Sequence, residues 1–414
     1  MLELSAELVL IGSGVALVVL AVVVFALLLR SVRSMASAEL PSLGSHPPLT
    51  VIRPIKGLDP EAEENIEAAF DHGYPGEVEI LFVFDDEEEP AVPIVEQAIR
   101  RRRSRGEDVK AKILFCGPPP PSRTGKLNAM IAGLEETDTE LVAFADSDIR
   151  PRPGALTALV RTLAKHPDAG SAFAPVVASQ RAQTIGDACY ALLLNGLYSP
   201  SAAALARIEA GDMPFIMGQY MVLKRQAIRD IGGLESAEGQ LVDDMYLGAR
   251  VHAAGYKNMV SPVSASIVAE GVSTREFVGI FRRWMSFARS GLPQWRFHAV
   301  VWIVGVVFWL GLINALLGVW IGSWRGVAAN LGAALLVASF INVVHHRIGG
   351  YPLPWRYWWV SFALLVLTPF AFFSTRMWKT VDWRGRSYRV NSHSTLEVSE
   401  LAETEVEKEK SPGS

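Results

Sequence analysis

The chain has 414 residues, half of them hydrophobic, and a formal net charge of −4. That charge does not suggest a nucleic-acid partner, and the long apolar runs place the chain among membrane proteins. Only Cys116 and Cys189 occur, too few for a disulfide framework, and no Cys or His cluster has zinc-ligand spacing; two unpaired thiols in a reducing compartment are expected.

Leu8 to Leu29 carries no charge, and about 20 apolar residues suffice for a helix to cross the hydrocarbon. A cleaved signal peptide competes with this reading. It fits poorly, because Glu3 and Glu7 stand where positive charge is needed and no convincing small-residue cleavage site follows. An uncleaved anchor over residues 1–33 is expected.

After a Pro/Gly/Ser-rich linker from Pro41 to Pro48, short apolar runs alternate with helical stretches, the pattern of an α/β domain with a largely parallel sheet. Strands are expected at Leu49 to Pro54, Glu79 to Phe84, Ala111 to Phe115 and Leu141 to Ala145, and helices at Glu61 to Phe70, Ala91 to Arg103 and Gly125 to Leu134. The domain, residues 34–297, is long enough to hold its own core. Its arginine run from Arg100 to Arg105 reads as a solvated helix face rather than a lipid-headgroup patch. The apolar run from Ala188 to Leu205, interrupted by Asn195 and Pro200, reads as an in-plane helix at the membrane surface. No internal repeat is present.

Three more apolar stretches follow within residues 298–376: Val300 to Trp324, Gly326 to Val344 and Tyr357 to Phe373. Asn330 and Asn342 in the middle one need partners inside a helix bundle, because an unpaired amide in lipid is costly. Arg30 and Arg33 after the first span, with Arg282, Arg283, Arg289 and Arg296 before the second, place the large domain on the cytoplasmic side. Three full C-terminal crossings would put the tail outside, yet Arg376, Lys379, Arg384, Arg386 and Arg389 mark it as inside. One of the three is then re-entrant or interfacial. The tail, residues 377–414, turns from basic to acidic, and Glu397 to Glu409 is expected to be disordered.

In open α/β sheets, ligands collect at the carboxyl ends of the strands. Arg53 and Lys56 stand at the first such end and Asp85-Asp86 at the second, where acceptor oxygens suit a nucleobase or ribose; a merely charged loop competes. Asp146-Ser147-Asp148 follows the fourth strand, with two carboxylates on one side of an extended segment, able to hold Mg²⁺ or Mn²⁺ against a diphosphate. Alone, that motif fits a loop cap better, and its position after an apolar strand favours the metal. Gly125-Lys126-Leu127-Asn128 opens a helix, so Lys126 could meet a phosphate, although this is not a Walker-type loop. Of Asp243-Asp244, one caps the next helix and the other could serve as a general base. Arg282-Arg283-Trp284 suits interface anchoring, or a diphosphate and a sugar or acyl face.

Taken in order, Arg53-Pro54-Ile55-Lys56-Gly57, Phe84-Asp85-Asp86, Gly125-Lys126-Leu127-Asn128, Asp146-Ser147-Asp148, Asp243-Asp244 and Arg283-Trp284 resemble the ceramide glucosyltransferase family, glycosyltransferase family 21, in its bacterial type. The resemblance covers nearly the whole chain. It implies Asp86, Asp146 and Asp244 in the three Asp positions of the family, ahead of a Gln- or Arg-x-x-Arg-Trp signature. Ile280 stands where that signature begins, and Arg282 is the candidate substitute. Gly218-Gln219-Tyr220-Met221 is similar to the acceptor-side segment, and Trp383-Arg384-Gly385-Arg386-Ser387-Tyr388 to a tail motif of related membrane transferases.

What the resemblance implies is a GT-A, Rossmann-like nucleotide-sugar-binding domain embedded between transmembrane helices, in a bacterial inner membrane. Such an enzyme moves a sugar from a UDP-sugar, UDP-glucose foremost, to the primary hydroxyl of ceramide with inversion. Arg53, Lys56, Asp85, Asp86, Lys126, Asn128 and Asp146 would hold the donor, Asp146 and Asp148 the metal, and Gln219, Asp243 and Trp284 the acceptor. Asp244 would be the base, with Arg283 and Trp284 beside the reacting centre. A hopanoid or diacylglycerol acceptor, a processive polysaccharide synthase and a nucleotide-binding transporter or receptor are the rival readings. Oligomeric state is not legible.

Overall fold

The computed structural model describes residues 2–287, 295–377, 379–391 and 395–396; Arg289 and the acidic run from Glu397 to Glu409 lie outside them. α1 (Leu2–Ala36) is a single helix, about 50 Å long at 1.5 Å per residue. The first half of the domain follows as β1 (Leu49–Pro54), α2 (Ala62–Phe70), β2 (Val78–Phe84), α3 (Val92–Ser104), β3 (Ala111–Phe115), α4 (Gly125–Glu135) and β4 (Leu141–Ala145). These bounds agree with the periodicity to within one residue. Each strand is a short apolar run closed by turn residues, which is why it could be read locally.

The second half contributes β5 (Ile149–Pro151), α5 (Ala155–Lys165), β6 (Ala169–Phe173), β7 (Val176–Ala178), α6 (Ile185–Ala191), α7 (Ser199–Ile208), β8 (Tyr220–Lys224), α8 (Arg225–Asp230), α9 (Asp243–Ala253), β9 (Lys257–Val260), β10 (Ala265–Ile267) and α10 (Thr274–Phe287). The main sheet has the order β3-β2-β1-β4-β8-β6-β9. β1, β2, β3 and β4 are mutually parallel, and β8 runs antiparallel between β4 and β6. Parallel strands end on one edge, so the residues after β1, β2 and β4 meet there, and antiparallel β8 begins beside them. The Asp146 amide donates to the Gln219 carbonyl at 2.9 Å across that junction. Ile52, Leu81, Phe82, Phe144 and Tyr220 fill the core around the central strands, each worth about 1.5–3 kcal/mol on burial.

The arginines of α3 are not simply solvated. Arg101 and Arg102 tie α3 to α2 through Glu67, and Arg102 also reaches Asp71 at 3.0 Å. The run from Ala188 to Leu205 is likewise not an in-plane surface helix. It spans α6, a π-helical turn at Leu192–Tyr198 and α7, and it is buried between the sheet domain and the apolar helices. α7 packs on α1 and the π turn on the apolar helix Trp324–Arg347, while Asn195 bonds both the amide and the carbonyl of Ala178 at 2.9 and 2.7 Å.

α11 (Trp295–Trp320), α12 (Trp324–Arg347) and α13 (Val360–Ser374) complete the helices. Four segments among the described residues are long and apolar enough to cross a membrane: Ser5–Ala36, Trp295–Trp320, Trp324–Arg347 and Trp355–Ser374. α1, α11 and α12 pack together. Gly14 permits close approach, since a Cβ there would lie 2.6 Å from that of Ala329. Asn330 finds its partners in the bundle, donating to the Leu10 carbonyl at 2.7 Å and accepting from Ser13 and Asn314 at 3.2 Å. Asn342 donates to Ser361 Oγ at 3.1 Å.

Both ends of α13 lie beside the sheet domain. Tyr357, just before it, donates to the Gln183 carbonyl of the sheet domain. The chain after it forms a hairpin, β11 (Thr380–Trp383) and β12 (Arg386–Arg389), whose Arg386 reaches Asp85 at 2.8 Å on the sheet edge. α13 therefore begins and ends on the domain's side. It has 15 residues with Pro369 inside it and belongs to the apolar segment Trp355–Ser374. Arg384 and Gly385 form the two-residue hairpin turn, both at positive φ, 51° and 75°. For arginine that conformation costs roughly 1–2 kcal/mol.

Candidate active site

A cleft of about 560 Å³ lies along the carboxyl edge of the sheet, the size of a small-molecule site. Lys56 enters after β1, Asp85 after β2, Lys126 from the start of α4, and Asp146, Ser147 and Asp148 after β4. Gln219 comes from the start of β8, and Arg283 and Trp284 come from α10. Thr124 starts α4, its hydroxyl accepting from the Leu127 amide at 3.1 Å, which sets Lys126 at the helix N-terminus.

Opposed charges alternate along the floor. Lys126 Nζ lies 2.6 Å from Asp146 and donates to the Gly218 carbonyl at 3.2 Å. Burial works against its charge, but Asp146, Asp244 and Asp243 outweigh it and hold the ammonium above its ordinary pKa. Burial pushes Asp148 up to about 7, with the Asp146 charge adding to the effect. Asp148 Oδ1 is buried without a hydrogen-bond partner. Lys56 pairs with Asp85 at 2.8 Å and also with Glu89.

A second cavity, about 90 Å³, adjoins the cleft and shares Gln219 and Trp284 with it. Its walls are apolar, including Leu194, Tyr198, Met217 and Phe297, and they carry Asp244. Phe297 and His298 belong to the first turn of α11, so the cavity connects Asp244 to an apolar bundle helix. The Tyr198 ring stacks on Trp284 with centroids 5.4 Å apart. Asp244 Oδ2 accepts from the Gly218 amide at 2.7 Å. A Cβ on Gly218 would overlap the Asp244 side chain. Gly218→Ala is accordingly expected to displace the Asp244 carboxylate and to lower activity by about 100-fold through misplacement; steady-state assays beside thermal melts on one preparation check this.

Of the residues picked from sequence, Lys56, Asp85, Lys126, Asp146, Asp148, Gln219, Arg283 and Trp284 line the cleft, and Asp244 lines the adjoining cavity. Four do not. Arg53 is buried beneath the edge and donates to the carbonyls of Ser147 and Ile149 at 3.0 and 2.7 Å; it braces the Asp146–Asp148 loop, and burial pulls it down to about 10. Asp86 is exposed and caps its own loop by accepting from the Glu88 amide, so Asp85 takes the cleft position. Asn128 turns inward and donates to the Gly117 carbonyl at 3.3 Å. Asp243 accepts from Thr124 Oγ1 at 2.8 Å, bracing the start of α4 rather than facing an acceptor. Ile280 lines the cleft, whereas Arg282 does not, so Arg282 does not take its place.

Sequence reasoning missed Asp59, Tyr190, Arg384, Arg386 and Tyr388, all of which line the cleft. Tyr190 packs on Trp284 at 5.6 Å. The other omission of weight is the hairpin, whose motif was visible but lies far in sequence from the sheet edge that it covers.

A cleft of paired cations and carboxylates at the strand ends, beside an apolar cavity, is the layout of a site that places a polar ligand next to an apolar one. The model of glycosyl transferase family 21 matches residues 14–396, and the chain belongs to that family. It is similar to ceramide glucosyltransferase 1 of Caenorhabditis elegans, 25% identical over 251 residues, covering 60% of this chain and 51% of that protein. Against the ceramide glucosyltransferase of Komagataella phaffii it is 32% identical over 125 residues, 30% of this chain and 24% of the other. The chain thus spans about half the length, or less, of the relatives it matches. Among solved structures it is similar to a mannosyltransferase from Pyrobaculum calidifontis in complex with GDP-Man and Mn²⁺, at TM-score 0.45 and 18% identity, over 78% of this chain and 97% of the other.

Proposed function

We propose that this glycosyltransferase moves a hexosyl group, glucose foremost, from a UDP-sugar to the primary hydroxyl of ceramide, with inversion, at the cytoplasmic face of its membrane. The observation that carries the reading is the wall shared by the two cavities: Gln219 and Trp284 face both, and Asp244 sits on the apolar side. A polar donor and an apolar acceptor would meet there.

The acceptor hydroxyl would give its proton to Asp244 as its oxygen attacks the sugar C1 from the face opposite the diphosphate. The bond from C1 to the phosphate oxygen breaks, and UDP leaves with that electron pair. Lys56, Lys126 and Arg283 would offset the charge that grows on the leaving diphosphate. Asp146 and Asp148 fit Mg²⁺ or Mn²⁺, because such ions take one or two carboxylates with substrate phosphates, and Asp148 Oδ1 is a buried acceptor without a partner. A divalent ion held there would supply Lewis-acid stabilisation of the leaving group. Trp284, stacked on Tyr198 and tilted against Tyr190, would offer a rigid face to the sugar and the lipid base.

The test incubates the purified protein in detergent with ceramide and a panel of UDP-sugars, with and without Mg²⁺ or Mn²⁺, and follows glycolipid by mass spectrometry. A metal-dependent hexosylceramide is the expected result. Product only with diacylglycerol or a hopanoid would move the acceptor, and no turnover with any lipid would overturn the reading.

A further inference from the structure

We propose that Arg384 and Arg386, at the tip of the C-terminal hairpin, are diphosphate-binding residues of the donor cleft, so that the segment after the last apolar helix is part of the substrate site. The inference rests on the UDP-sugar reading above.

The hairpin reaches the cleft from outside the sheet domain and meets it at three places. Arg386 Nη2 lies 2.8 Å from Asp85, and its guanidinium rests against Gly125, where any side chain would collide with it. Tyr388 hydroxyl accepts from the Gly125 amide at 3.3 Å. Arg384 donates to Ser147 Oγ at 3.3 Å, lies 3.9 Å from Asp148, and pairs with Asp59. Both arginines therefore stand between the start of α4 and the Asp146–Asp148 loop, where Lys126 also points.

Two further features argue against a tail that is only tied down. Arg384 occupies a left-handed turn position, φ 51°, where Asn or Gly is preferred; a side chain kept against backbone preference points to a use for that side chain. In addition, Arg283 lies over the Trp383 ring at 5.3 Å, so the hairpin also braces the α10 arginine assigned to the diphosphate. A guanidinium suits this task because its planar fork matches phosphate oxygens two at a time. Docking to Asp59 and Asp85 alone would need only charge.

The test compares UDP with uridine, both titrated against full-length protein in detergent with Mn²⁺ present. Arg384→Ala and Arg386→Ala are each expected to weaken UDP by about 10- to 100-fold, the range of a charge-assisted contact, with uridine affinity unchanged. Arg384→Lys and Arg386→Lys keep the pairing with Asp59 and Asp85 but lose the fork, and should fall between; they carry the comparison if the alanine variants do not fold. Variants that bind UDP as wild type does, or that lose UDP and uridine by the same factor, would overturn the proposal. Wild-type protein that binds no UDP would instead overturn the donor reading beneath it.

Discussion

Replacing Asp244 by Asn is expected to lower turnover by about 10²–10⁴-fold, the contribution of a positioned general base, while UDP still binds. Asp244 Oδ2 accepts from the Gly218 amide and Oδ1 from the Met245 amide, each at 2.7 Å. Those bonds aim the carboxylate without exhausting it, since each oxygen keeps a second lone pair for a substrate hydroxyl. Asparagine keeps the shape and one of the two accepted bonds, turns its NH₂ toward the other backbone amide, and loses the base. Transfer rates and UDP titration on the same preparation separate the outcomes. A wild-type rate would remove Asp244 from the mechanism, and lost UDP binding would make its role one of shaping the cleft.

Asp148→Asn is expected to cost about 10²–10⁴-fold in turnover, the several kcal/mol that a metal contributes at a leaving diphosphate, and to abolish the response to added Mn²⁺. The same substitution should not harm the fold. Burial holds the Asp148 carboxyl at about 7 against an ordinary 3.8, so the folded state keeps a proton that the unfolded chain releases. Stability is therefore unaffected below the lower value and falls as pH rises between the two. In metal-free buffer at pH 8, Asp148→Asn should melt no lower than wild type, and any advantage should shrink toward pH 4. Thermal melts at the two pH values check this, and a variant clearly less stable at pH 8 would contradict it.

The sheet was legible because β1 to β4 are local objects, each an apolar run between turn residues, and because parallel strands deliver their last residues to one edge. Which side chain at a strand end faces the ligand was not legible. Asp85 and Asp86 are adjacent, yet one faces the cleft and the other water, and Arg53 turned under the loop instead of over it. That choice depends on register and on what packs behind, and neither is written in a single strand. Asn128 and Asp243 were misplaced for a related reason, because each polar group satisfies a backbone or cap near the start of α4. The hairpin was out of reach altogether. Arg386 and Asp85 stand 301 residues apart, and no local pattern links them. The apolar segments, by contrast, were visible from composition alone, while the contacts that bring both ends of α13 to the sheet domain were not.

The wall formed by Gln219 and Trp284 has a consequence for how such an enzyme can diversify. A residue that touches both partners of a reaction cannot be retuned for one alone. Enlarging the apolar cavity through Trp284 to admit a bulkier lipid would also loosen the sugar's seat. New acceptor preference is then more accessible through Leu194, Met217 or Phe297, which meet only the apolar side. On the proposed reading, engineering or natural drift that begins at those three positions would change the lipid while leaving the donor untouched.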